Sequence, residues 1–478
     1  MGLVDQARLA GSERALEIAD DFASWFDGWS GKFTREQFDD ILDAETGGML
    51  EVWADLLALT GKEKYRRLLA RYDRPRLFEP LLQGRDPLTN MHANTTIPEV
   101  LGCARAYEVT GEKRWLDIVT AYWKCAVTDR GMYATGGQTQ GEIWTPPQKL
   151  KARLGDKNQE HCTVYNMMRL AEFLFRQTGD PAYLQYMEYN FHNGVMAQTY
   201  WRGASESGNP DRGLLTYFLP LKAGLRKGWA GARDSFFCCH GTMVQANSAL
   251  GRYLCYQEVK RIIIAQYLNA DIALTVGKTP FTLALRQDEM NGWSQNSSVN
   301  NGAHAIENMV PVPHSKPDFR KYDITVHTAE SVNFTLLLRL PAWITAPATV
   351  CINGEQAAHT DDCRKFVPLQ RTWKDGDVVT LLLPIGLQFI ALPDDAAVGA
   401  FRYGPDVLAG ITPQERVLTL AGSDPTVELE PDCERQWGTF QTFYHTCSQD
   451  PGLDFIKLNS VGYQPYQVYF RVCAGDKK

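Results

Sequence analysis

VTGEKRWLDIVTAYW, residues 109–123, contains the end of one helix, a turn and the start of the next. Its Thr-Gly marks a helix stop, because glycine accepts the left-handed conformation that ends a helix. The same ending opens LTGKEKYRRLLARY, 59–72, and QTGDPAYLQYMEYNF, 177–191. Each follows a segment with apolar residues at helical spacing: GGMLEVWADLLALTG, 47–61; TIPEVLGCARAYEVTG, 96–111; and VYNMMRLAEFLFRQTG, 164–179. In the last, Val164, Met167, Met168, Ala171, Leu174 and Phe175 form one stripe. Repeated helix-turn-helix pairs predict an α/α toroid or solenoid. Intervals of 50 and 68 residues are too uneven for a small regular repeat, and long loops at 131–159 and 200–237 account for part of that.

After about residue 258 the apolar period shortens to two. RIIIAQYLNADIALTV, 261–276, reads as a hairpin, and Val332, Phe334, Leu336, Leu338 and Leu340 alternate through VNFTLLLRL. TWKDGDVVTLLLPI places a DG turn before another strand, and FQTFYHT and PYQVYFRV add late strands. The expectation is a helical α/α-barrel-like catalytic domain over 1–258 and a β-sandwich domain over 259–478.

With 478 residues and 44% hydrophobic composition, the chain has material for a large core or two docked ones. A net charge of -7 weighs against a nucleic-acid partner. No run of 18 apolar residues suggests a membrane span, and MGLVDQARLAGSERALEIADDF reads as a charged amphipathic helix without a signal-peptide core. Eleven cysteines, an odd number in a large chain, point to a reducing compartment. A cytoplasmic location is the simplest expectation. No P-loop or Rossmann fingerprint is present.

Two sulfur-rich segments carry the chemistry. DSFFCCHGTM, 234–243, sets Cys238 beside Cys239 before a helix, and NQEHCTVYNMM, 158–168, sets Glu160 and Cys162 at the start of another. Zinc accepts both carboxylate oxygen and thiolate sulfur. Residues two apart do not share a helix face, so Glu160 and Cys162 must meet at a capping segment. Helix N-termini favour anions and lower a cysteine pKa. Four ligands thus come from two helix mouths, with His161 and His240 as rival ligands. Three thiolates and a carboxylate around zinc would leave electron density on Cys238, fit for attack on carbon. Glu142, in the Gly-rich YATGGQTQGEIW, would protonate a leaving oxygen and then activate water, the retaining-glycosidase division of labour with sulfur as nucleophile.

YATGGQTQGEIW, NQEHCTVYNMM and DSFFCCHGT, in that order, resemble the β-L-arabinofuranosidase superfamily once called DUF1680, which includes glycoside hydrolase families 127 and 146. The likeness is closer to the family-146-like branch, and LRLPAW, RTWKDGDVV and RYGPDVLAG extend it through the second half, from about residue 40 to near 470. The resemblance implies an (α/α)6 barrel followed by a β-sandwich. It implies zinc held by Glu160, Cys162, Cys238 and Cys239, with Cys238 as nucleophile and Glu142 as general acid/base. It implies retaining exo-hydrolysis of a terminal β-L-arabinofuranoside or related sugar from a small glycoside or oligosaccharide. Further expectations give sugar contacts to His92, Glu45, Glu51, Trp144 and Tyr217, and ligand-orienting roles to Asp234 and His240.

The chain departs from the family pattern in two ways. Nine or ten helical segments are recognisable where a complete toroid has twelve, so the barrel is either shortened at its N-terminus or completed by a second copy in a homo-oligomer. Gln245 and Asn247 stand where Glu and His are common, and His161 replaces the usual Thr. The competing readings are a noncatalytic carbohydrate-binding or assembly protein with structural zinc, and a lyase or epimerase on a helical toroid.

Overall fold

The computed structural model describes residues 1–200, 213–231, 233, 235–288, 316–432, 436–437 and 440–474. Eleven α-helices lie among them: α1 Gly2–Ala10, α2 Glu13–Ser30, α3 Arg35–Ala44, α4 Met49–Thr60, α5 Glu63–Tyr72, α6 Pro75–Leu82, α7 Ala93–Thr110, α8 Lys113–Trp123, α9 His161–Thr178, α10 Pro181–Asn190 and α11 Cys238–Ser248. The count of nine or ten is corrected to eleven among the described residues; α6 is only eight residues long and carries Pro75 and Pro80, which signal a helix end rather than a helix.

The Thr-Gly motif has a physical basis. Thr60, Thr110 and Thr178 each donate to the carbonyl four residues back, at 2.8 Å. Each also accepts the N–H two residues on, at 3.2–3.3 Å. The hydroxyl therefore serves both helices while Gly61, Gly111 or Gly179 supplies the left-handed turn at φ 67–71°. A fourth hairpin, α1–α2, turns at Gly11 with φ 65°. There Ser12 caps α2 by accepting from Ala15 N–H, so no Thr-Gly pair advertises it.

The first helices of these hairpins pack in sequence, α1 on α4, α4 on α7 and α7 on α9, with α11 closing on α9. Their partners lie outside them. The α4–α7 contact is close because Gly102 has no side chain: a Cβ there would sit 2.5 Å from that of Leu50. This arc of inner helices is the toroid, and α7, α9 and α11 open their N-termini toward the residues described below.

The β-rich half begins with strand Cys255–Glu258. A six-stranded sheet (355–360, 348–352, 378–384, 319–328, 279–288, 270–276) faces a four-stranded one (366–373, 332–339, 261–264, 255–258). Both feed one core that includes Ile262, Leu283, Ile324, Leu336, Trp373 and Leu381. A third, nine-stranded sheet carries most of the late strands. One reading is corrected. Strand 261–264 pairs antiparallel with 255–258 and parallel with 335–338, whereas 270–276 pairs with 279–285 in the opposite sheet, so 261–276 is no hairpin. The Asp375-Gly376 turn does precede a strand, 378–384, as read, and it joins that strand to one of the facing sheet. Alternation identifies which side chains point inward, not which strand lies alongside. No described helix is long and apolar enough to cross a membrane.

Candidate active site and metal centre

Glu160 is the N-cap of α9, with extended backbone at ψ 135°, and Cys162 is the second helical residue. Cys238 and Cys239 are the first two residues of α11. One ligand atom from each of these four lies within 4.8 Å of the others. Cys162 and Cys239 sulfurs are 3.4 Å apart, Cys238 and Cys239 sulfurs 3.9 Å, and Glu160 Oε1 lies 3.7 Å from Cys238 Sγ. Hydrogen bonds from the Cys162 and Cys239 thiols hold Cys238 well below the ordinary thiol range. Thr242 Oγ1 adds a 3.4 Å contact to Cys162 Sγ.

The donor set fits a cation. Glu160 is 1% exposed and its Oε2 has no hydrogen-bond partner. Burial first, then the charges of Cys238 and Glu142, raise its carboxyl to about 8. A buried carboxylate packed against thiols, with no cationic side chain in contact among the described residues, is the arrangement a soft divalent ion would neutralise. Neither histidine belongs to this cluster. His240 Nδ1 accepts Phe237 N–H and its Nε2 faces Ala230 O, so both ring nitrogens are engaged. His161 is fully buried against Thr242 Oγ1 at 3.0 Å, and burial lowers its pKa to about 4. Asp234 lies outside the described residues.

The cluster is asymmetric toward solvent. Cys162 and Cys239 are buried, whereas Cys238 is exposed. Cys238 Sγ is 3.6 Å from Tyr217 OH, and that hydroxyl donates to Glu142 Oε1. Sulfur and carboxylate oxygen are therefore no more than about 6 Å apart, within reach of one sugar carbon and its leaving oxygen. Burial and the hydrogen bond to Glu142 push the Tyr217 phenol far above its ordinary range, so it remains a donor.

Glu142 is held by a hairpin that composition alone does not reveal. Strands 139–140 and 143–144 pair around Gly141 and Glu142, at φ 62° and 66°. Both central residues have positive φ, as a type I′ turn requires, and glutamate is a strained occupant of that position. The second strand is tied to the loop before α7: Trp144 N–H donates to Met91 O and Ala93 N–H to Glu142 O. His92 caps α7, its Nδ1 accepting Thr95 N–H at 3.1 Å. The other nitrogen, Nε2, therefore carries the ring proton and faces Glu142 Oε2 at 3.4 Å. Gly136 and Gly137 let the loop pass close to its neighbours: a Cβ on Gly137 would lie 2.7 Å from Gln159 Oε1. Gln159 in turn accepts from Thr135 and donates to Asn193 O, locking the Glu142 loop onto the mouth of α9.

The expected sugar contacts separate. His92 and Tyr217 border Glu142, and Glu45 joins the rim through Thr95 Oγ1 at 3.3 Å. Trp144 does not face a sugar: it is fully buried, its indole N–H donating to Thr96 Oγ1 and its ring packed on Tyr122. As the second residue after the turn, it points into the core. Glu51 points away from this group and pairs with Arg169 of α9. Those two line a cavity of about 870 Å³ with Asp55, Arg105 and Arg176. Thr95, Gln159 and Thr242 were missed. Each lies beside a residue already singled out, in HANTT, NQEHC and CCHGT.

The profile of the β-L-arabinofuranosidase GH127 catalytic domain matches residues 1–252, and that of the GH127 middle domain matches residues 309–385. Among solved structures, a glycoside hydrolase superposes with TM-score 0.70 at 16% identity, covering 98% of this chain and 81% of its own. A GH127 β-L-arabinofuranosidase from Geobacillus stearothermophilus gives TM-score 0.64 at 16% identity, covering 98% and 78%. A GH127 β-arabinofuranosidase gives 0.69 at 16% identity, covering 99% and 75%. No functionally curated protein matches the sequence. The solved structures share the succession of helical toroid and β-sheet domain.

Proposed function

The chain belongs to the GH127 β-L-arabinofuranosidase family, and from that membership we propose that it releases a terminal β-L-arabinofuranose, or a related sugar, with retention of configuration. The observation that carries this reading is the contact chain Cys238–Tyr217–Glu142, in which the exposed sulfur of the cluster faces a carboxylate through one hydroxyl.

Cys238 Sγ attacks the anomeric carbon, the bond to the leaving oxygen breaks, and Glu142 gives that oxygen a proton. The products of this half are the free alcohol and a thioether between Cys238 and the sugar. Glu142, now ionised, takes a proton from water, whose oxygen attacks the same carbon, and Cys238 departs as thiolate. Tyr217 donates to Glu142 Oε1 and His92 Nε2 faces its Oε2 at 3.4 Å, so the two aim the carboxyl. Glu45, at the rim, supplies an acceptor for a sugar hydroxyl. Glu160, Cys162, Cys238 and Cys239 would hold a zinc ion, whose charge keeps the thiolates deprotonated.

The catalytic unit is taken as residues 1–258 and the β-rich unit as 259–478. The proposal includes a short glycoside substrate processed in the cytoplasm and kinship to the family-146-like branch. A panel of activated α- and β-linked pentofuranosides, offered to metal-replete protein, tests it. We expect release from the β-L-arabinofuranoside, with Cys238→Ser and Glu142→Gln strongly impaired. Turnover by Cys238→Ser equal to that of the parent would exclude sulfur as nucleophile.

A further inference from the structure

The nine-stranded sheet reaches the site through a turn within RYGPDVLAG, 402–410. Strands 395–403 and 406–411 are joined by Gly404 and Pro405, with Gly404 at φ 61°. This turn meets a wide helical turn, Phe191–Val195, that continues α10. Asn193 lies there, buried, and its side-chain amide fits the sheet's turn on both edges. Its Nδ2 donates to Pro405 O at 2.8 Å and to Tyr189 O at 3.1 Å. Its Oδ1 accepts Val407 N–H, also at 2.8 Å. A flipped amide would set N–H against N–H, so only a donor and an acceptor in this order satisfy both edges. Asp406, between those two residues and buried, fixes the turn further through His192 at 2.9 Å and Arg320 at 3.2 Å.

The main chain of Asn193 faces the ligand wall. Its carbonyl oxygen accepts Gln159 Nε2 at 3.2 Å. Gln159 immediately precedes Glu160, is fully buried, and holds φ 51°, a conformation that side-chain-bearing residues rarely adopt. Such strain persists only where the surroundings over-determine it. Here Asn193 and Thr135 do so: Gln159 Oε1 accepts from the Thr135 hydroxyl, and its Nε2 also reaches Thr135 O at 3.3 Å. Gly194 permits the close approach, since a Cβ there would lie 2.6 Å from Val164 of α9 and 3.0 Å from Gln159 Nε2. The same sheet holds the Glu142 loop a second time, where Tyr469 OH accepts Ala134 N–H at 2.7 Å. Resting on the activity inferred above, we propose that Asn193 is a positioning residue for it, through which the nine-stranded sheet sets where Glu160 and Glu142 stand. Asn193 touches no reacting atom. It acts through Gln159, whose amide is shared between the mouth of α9 and the Glu142 loop.

Hydrogen–deuterium exchange of the full chain, parent beside Asn193→Ala, reads this link without substrate. Exchange should rise by at least about tenfold at 135–142 and 159–162, while strand 332–339 keeps the parent rate. On the β-L-arabinofuranoside, kcat should fall about a hundredfold with KM nearly unchanged, because the carboxyls that act on the bond shift while the sugar contacts stay. Asn193→Asp carries the test if the alanine variant fails to fold. It keeps the bond from Val407 N–H, loses the one to Pro405 O, and should give the same pattern at smaller amplitude. A rise confined to 191–195 and 403–407, or one spread evenly over the chain, would leave Asn193 a structural role only and overturn the proposal. Parent-like kcat would do the same. A parent chain that releases no arabinose would sink the proposed activity alone, since the exchange pattern would still decide whether Asn193 holds Glu160 and Glu142 in place.

Discussion

At the mouth of α9, Glu160 and Cys162 are each 1% exposed, and the chain before them is fastened by Asn158 and Gln159. At the mouth of α11, Cys239 is equally buried but Cys238 is exposed, and the preceding Phe236 is 69% exposed. Both mouths offer anion-stabilising N–H groups and both contribute to one cluster. One is a closed wall; the other opens onto Tyr217 and Glu142. On the proposed mechanism, this difference in solvent access and in what faces each sulfur is what sets Cys238 apart from Cys162 and Cys239.

The hardest test of this asymmetry replaces one sulfur from each mouth. Cys238→Ser should lower kcat/KM by at least about 10⁴-fold, because the hydroxyl is a far weaker nucleophile at neutral pH. Cys162→Ser should also abolish turnover, but by a different route: zinc content should fall and the melting temperature should drop with it. Zinc analysis and thermal unfolding of the two variants separate reactive from structural sulfur. Equal zinc loss and equal destabilisation in both would erase the distinction between the mouths.

Glu142→Gln asks whether the open mouth has a second chemical partner. Hydrolysis should fall about 10³-fold, within the usual range for a lost acid/base. With a leaving group that needs no protonation the first half should survive, so the sugar should accumulate on Cys238 and appear in the intact mass. A variant that turns over at the parent rate would remove Glu142 from the chemistry.

Why the closed features were more legible than the open ones follows from the range of the interactions. Glu160 and Cys162 had to meet at a helix cap because helical geometry leaves no other solution, and three of four hairpins advertised themselves through Thr-Gly. The positive φ of Glu142 is also local, but GE is not a usual type I′ pair, so nothing in QGEI announces the turn. Tyr217 meets Glu142 across 75 residues and Glu51 meets Arg169 across 118, through packing that no local pattern encodes. Trp144 was misjudged from proximity alone: two residues beyond a turn tip, a strand side chain can as easily enter the core.

Gly137→Ala probes the link between the mouths at lower cost. The added methyl would press on Gln159, whose amide ties the Glu142 loop to α9. Overpacking of this kind costs about 1–3 kcal/mol. Turnover should fall through displacement of Glu142, while zinc content stays that of the parent. Loss of metal in this variant would mean that loop and ligand wall are one unit.

The smallest effect belongs to His161, and it appears only in acid. Burial lowers its pKa from 6.5 to about 4, so the folded chain holds a neutral ring. Between those values the unfolded chain binds a proton that the folded chain refuses. This contribution is therefore complete above about pH 6.5 and declines as pH falls toward 4. At pH 5 the deficit is about 2 kcal/mol. His161→Thr removes the titrating ring, so its denaturation midpoint should fall less than the parent's between pH 7 and 5, whatever the offset at neutrality. Parallel curves would show that His161 is not buried as a neutral base behind the α9 wall. The closed mouth would then admit water, and the contrast with α11 would narrow accordingly.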